Sequence, residues 1–99
     1  MNYTPYWGVT STTFFVYAIS MENVLETKEQ LKIFGGNLRR ARVLRKVTQE
    51  ALSEKANLHI RTLQKIEAGE INILLTTLVR LKQGLDCPWQ ELFPPSRQL

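Results

Sequence analysis

The sequence is poor in the residues from which most chemical sites are built. It has one cysteine, Cys87, and one histidine, His59, in 99 residues. That excludes an intramolecular disulfide and a cysteine-based metal cage, and it fits a reducing compartment. The carboxylates are scattered at helical surface spacings, so no nucleophile–base pair or metal cluster can be picked out. The sequence therefore gives no catalytic residue, no metal ligand and no cofactor. No apolar run approaches the roughly 20 residues that a membrane-spanning helix needs, so a membrane is not an expected partner. Met1–Ser20 carries no charge at all, and without a basic segment before Phe14 it does not read as a secretory signal.

What is present describes one small domain with tails. A hydrophobic content of 43% supplies one compact core, and a charged fraction of 22% is that of a folded chain. The net charge of +4 is unevenly placed. Between Leu31 and Glu70 there are nine Lys or Arg against four Glu, a block of about +5, while the tails roughly cancel. A basic centre suits a polyanion, and nucleic acid is the commonest. A domain this small leaves little room for a ligand sensor beside a nucleic-acid reader, so control is expected through concentration, dimerisation or a protein partner.

Residues 1–26 read as an N-terminal extension, 27–93 as the domain and 94–99 as a tail. The extension holds Tyr3, Tyr6, Trp7, Phe14, Phe15 and Tyr17, and Thr12–Ile19 has the composition of a strand. Two readings stand beside each other: Met21 is the physiological start, or the first residues form a dimerisation arm.

From Thr27 the periodicity turns helical, with Leu31, Phe34, Leu38 and Ala41 on one face and Gly35-Gly36 marking a kink or a close backbone approach. Thr48 is an N-cap for a second helix over 49–56 that buries Ala51, Leu52 and Ala56. Asn57, which tolerates the left-handed conformation, turns the corner. A third helix runs from Ile60 to Ala68 with Leu63 and Ile66 inward and Gly69 after it. A fourth runs from Leu74 or Leu75 to Leu85, with Leu75, Leu78, Leu81 and Leu85 on one side. A short fifth opens at Pro88 and stops before Pro94-Pro95. The expected fold is all-α, five helices around one core.

The second and third helices, joined by a tight corner, have the form that lays a helix into the DNA major groove. With Leu63 and Ile66 inward, the third helix offers Ile60, Arg61, Gln64 and Lys65 to base edges. The planar fork of Arg61 matches guanine O6 and N7; Ile60 suits a thymine methyl, and Lys65 a base or a phosphate. Gln49, at the start of the second helix, suits a phosphate oxygen. Thr62 adds a hydroxyl, and Asn72, just beyond Gly69, resembles the loop residues of such proteins that grip the DNA backbone. Thr48 and His59 read as caps.

Phe34, Gly35, Leu38, Arg39, Arg42, Thr48, Gln49, Leu52, Ala56, Ile66, Glu67, Ala68, Gly69, Leu78, Leu81, Leu85, Glu91, Leu92 and Phe93 together resemble the pattern of lambda-repressor/Cro-like helix-turn-helix proteins of the XRE type. The resemblance covers roughly Leu31 to Phe93. It implies base contacts from Ile60, Arg61 and Lys65, a phosphate contact from Gln49, and an ion pair of Arg42 with Glu67 that locks helix 1 to helix 3. It also implies a bacterial or phage protein of the cytoplasm. The sequence departs from the pattern at Lys46, where the family has a helix-ending glycine, at Asn57 in the turn, and at Ile73 and Lys82 around helix 4.

The expected function is a transcriptional regulator that binds double-stranded DNA, a small autoregulatory repressor acting as a homodimer on a near-palindromic site. The expected dimer surface is helix 5, with Trp89 and Phe93. Two alternatives remain: an antitoxin that neutralises a protein partner while binding its own promoter, and a restriction–modification controller.

Overall fold

The computed structural model describes the backbone of residues 9–95 and the side chains of residues 27–95. Five helices follow one another: α1 (Val9–Leu44), α2 (Gln49–Lys55), α3 (Ile60–Glu67), α4 (Leu75–Leu85) and α5 (Trp89–Leu92). There is no strand among the described residues. Helix α1 packs on α3 and α5, and α2 packs on α3 and α4. Between them lies one core of Phe34, Leu38, Ala41, Leu52, Ala56, Leu63, Ile66, Leu81, Leu85, Cys87 and Leu92.

Thr12–Ile19 is helical, not a strand, and α1 begins at Val9 rather than near Thr27. β-Branched composition is a weak preference, whereas extending an existing helix adds one hydrogen bond per residue with no new nucleation cost. Leu75 is exposed, and Thr77 is buried with Leu81 and Leu85 instead. Steps of three residues drift backwards round a 3.6-residue helix, so Leu75 lies about 120° from Leu81 while Thr77 lies about 40° from it.

Helices α1 to α4 end alike. Each is followed by a residue of positive φ: Lys46 (56°), Asn57 (55°), Gly69 (74°) and Asp86 (53°). In each case the next amide folds back five residues, as Val47 N does to Arg42 O, Leu58 N to Ser53 O, Glu70 N to Lys65 O and Cys87 N to Lys82 O. This double closure satisfies carbonyls that a helix end leaves open. Glycine fills the left-handed position only at Gly69. Thr48 caps α2 through a 3.0 Å bond from Ala51 N to its Oγ1, and His59 Nδ1 caps α3 by accepting from Arg61 N at 3.2 Å.

Gly35 is a close backbone approach. A β-carbon there would lie 2.6 Å from Glu67 O and nearer still to Ile66 O. The missing side chain lets α1 lie directly on the C-terminal turn of α3. Gly36 faces open space.

Candidate nucleic-acid interface

The candidate site is the outer surface of α2, its corner and α3. Leu63 and Ile66 are fully buried, and each contributes about 1.5–3 kcal/mol to docking α3. With those two inward, Arg61, Gln64 and Lys65 are exposed, while Ile60 and Thr62 are half-buried. Asn72 is exposed in the loop after α3, its Oδ1 accepting from Ile73 N at 2.9 Å. Gln49 is half-buried at the first turn of α2.

Behind this surface runs a chain of polar contacts that fixes α3 against α1 and α2. The Arg42 guanidinium donates through Nε to Glu67 Oε2 at 2.7 Å and through Nη2 to Glu67 Oε1 at 3.0 Å. Its third nitrogen, Nη1, donates to Val47 O at 2.8 Å, which ties the corner between α1 and α2 to the same group. Gln49 Nε2 donates to Glu67 Oε1 at 3.0 Å, and Gln64 Nε2 reaches Gln49 Oε1 at 3.4 Å. Arg42 and Glu67 are both buried. A buried carboxylate held by a bidentate guanidinium and an amide is satisfied in geometry as well as charge. The chain ends at Gln64 on the exposed face, so the orientation of the outer side chains is coupled to the core.

The left-handed Lys46 lets α1 stop in time for Val47 O to meet Arg42 and for Thr48 to cap α2. A lysine does this at the steric cost that the sequence departure implies.

A second ion pair lies between the end of α1 and α5. Arg45 donates through Nη1 to Glu91 Oε1 at 2.7 Å and through Nη2 to Glu91 Oε2 at 3.0 Å, joining the end of α1 to α5. The bond from Arg45 holds the Glu91 carboxyl below its usual range and raises the Arg45 guanidinium. Burial pushes the Cys87 thiol up. Asn37 Nδ2 reaches Leu92 O at 3.0 Å, and Arg80 Nε donates to Ala56 O at 2.8 Å, closing the end of α2. Sequence reasoning found neither Arg45–Glu91 nor Arg80, because partners far apart in sequence leave no periodic signal. Lys82 lies with Nζ 5.4 Å from the centre of the Trp89 ring, which explains how a cation is tolerated on α4.

Residues 38–92 match the helix-turn-helix family, of the XRE or lambda-repressor-like kind. The chain belongs to this family. It is therefore a helix-turn-helix DNA-binding regulator and not an enzyme. The matched span takes in the C-terminal part of α1, all of α2 to α4 and α5. Its fold is similar to that of the restriction-modification controller protein C.AhdI from Aeromonas hydrophila, at 32% identity and a TM-score of 0.61, covering 64% of this chain and 96% of that one. No curated protein matches the chain. Among the described residues, no helix of this regulator is long and apolar enough to cross a membrane.

Proposed function

We propose that this helix-turn-helix protein is a small autoregulatory repressor that binds a near-palindromic operator as a homodimer in the bacterial cytoplasm. The observation that carries this reading is the outward display of Arg61, Gln64 and Lys65 on a helix whose inner face is locked by Leu63, Ile66 and Glu67. Arg61 is the principal base reader, with Ile60 against a thymine methyl and Lys65 on a base or phosphate. Gln64 both reaches Gln49 and faces outward, so it braces first and reads second. The second hydrogen of Gln49 Nε2, the Thr62 hydroxyl and the Asn72 amide take phosphate oxygens.

One module presents one reading helix; two copies related by a two-fold axis present a pair about 34 Å apart. The surface that suits the second copy is α5 with the neighbouring face of α1, where Ile33, Trp89 and Phe93 are exposed. Phe93 stacks on Phe34 at 5.2 Å between ring centroids, which ties this apolar surface to the core.

A restriction–modification controller is the second reading, favoured by the 32% identity to C.AhdI over nearly all of that chain. A methyltransferase and an endonuclease encoded beside the gene would select it. Both readings meet the same test: footprinting on DNA from upstream of the protein's own gene. Two protected half-sites one turn apart support a dimeric operator-binding protein. A single half-site, or uniform protection, contradicts it.

A further inference from the structure

We propose that Lys28 and Lys32 on α1 extend the phosphate-binding surface beyond α3, gripping the DNA backbone next to the loop that carries Asn72. The inference rests on the DNA-binding reading above and adds an element outside the helix-turn-helix pair.

The placement follows from Gly69. A β-carbon on Gly69 would lie 2.6 Å from Lys32 Cα, 2.7 Å from Lys32 Cγ and 2.9 Å from Lys32 N. The chain leaving α3 thus passes directly against Lys32. Gly69 follows Lys65 by four residues, about one helical turn or 6 Å, and Asn72 comes three residues later. Lys28 lies one turn before Lys32 on α1 and both are exposed.

On a helical projection, Lys28, Lys32 and Arg39 fall within about 40° of one another, to one side of Gly35, while Leu31 and Leu38 fall to the other. Since Gly35 sits on the C-terminal turn of α3, the cationic stripe runs along the edge where α1 crosses that turn. The cations of α1 that are committed elsewhere are Arg40, which donates to Asn37 Oδ1 at 2.9 Å, and Arg42, which is held by Glu67. Neither ion pair among the described residues includes Lys28, Lys32 or the Glu70 that follows Gly69. Flexible ammonium groups flanking a reading helix bind phosphate as point charges without reading sequence.

The test compares Lys28→Gln, Lys32→Gln and the double variant with the wild-type full chain. Fluorescence anisotropy is followed across a salt series, on a duplex from upstream of the protein's own gene and on a scrambled duplex. Expected are unchanged melting curves and a several-fold loss of affinity by the same factor on both duplexes. The slope of log K against log salt should shrink by about one for each lysine removed. Wild-type slopes and affinities in the double variant would overturn the proposal while leaving the operator reading standing. A loss of melting temperature with an unchanged slope would assign the lysines to balancing Glu70. If the folded wild-type protein binds neither duplex at low salt, both this proposal and the DNA-binding reading fall.

Discussion

Arg42 Nε lies 2.7 Å from Glu67 Oε2, and this buried pair holds the C-terminal end of α1 to the end of the outward-facing α3. The polar contacts behind the α3 surface lead back to it. Val47 O comes to Arg42 because α1 ends in a left-handed turn, Gln49 reaches Glu67 because Thr48 caps α2 there, and Gln64 reaches Gln49. A change at the pair therefore acts on folding before it acts on recognition.

Removing one partner should be far worse than removing both. Arg42→Ala leaves Glu67 buried beside a single amide, and a broken buried pair costs about 3–5 kcal/mol. Thermal unfolding should show a large loss of melting temperature. A double change of Arg42 and Glu67 to apolar residues should recover part of it. A normal melting curve for Arg42→Ala would sink this assignment.

Gly35→Ala adds one methyl group where Ile66 O and Glu67 O already crowd the space. Forcing α1 away from α3 should cost about 1–3 kcal/mol, whereas Gly36→Ala faces open space and should be neutral or mildly stabilising within a helix. Equal melting temperatures for the two variants would contradict the close approach.

Lys46 occupies a position that suits glycine, at φ 56°. Lys46→Gly relieves the steric strain but loosens the unfolded chain, so the net gain should be about 1 kcal/mol or less. Denaturant unfolding should move to a slightly higher midpoint at constant slope. A lower midpoint would show that the lysine side chain makes a contact worth more than the strain.

The Arg45–Glu91 pair makes stability depend on acidity. Its hydrogen bond lowers the folded-state pKa of Glu91 below the unfolded value. Its contribution is therefore complete above the unfolded carboxylate range, roughly pH 4–5, and is lost as pH falls through the depressed folded value. Wild type should melt above Glu91→Gln at neutral pH, by a small margin because the pair is partly exposed. The two curves should converge in acid. A margin that persists unchanged at the lowest pH would contradict the pairing.

Much of the architecture was legible in the sequence because it rests on local rules. The 3.6-residue periodicity of Leu63 and Ile66, the cap at Thr48 and the turn residues Asn57 and Gly69 place α2 and α3 almost to the residue. The starting point of α1 was not legible, because Thr12–Ile19 is as compatible with a strand as with a helix until its continuity with the following helix is known. The outward display of Arg61, Gln64 and Lys65 follows from which face is apolar. The bond from Gln49 to Glu67 and the Arg45–Glu91 pair do not, since they depend on how helices cross in space. The burial of Leu75 was misread, because steps of three residues drift off the face that Leu81 and Leu85 bury.

The central claim is that α3 reads sequence through Arg61, and binding by wild type and Arg61→Ala to the upstream duplex and a scrambled one tests it most directly. Wild type should bind the upstream duplex tightly and selectively, and the variant should lose about 1–3 kcal/mol on it. Selectivity should collapse while the melting temperature stays unchanged. If Arg61→Ala weakens both duplexes equally and keeps the preference, Arg61 holds phosphate and the reading helix is not what sets this protein's choice of DNA.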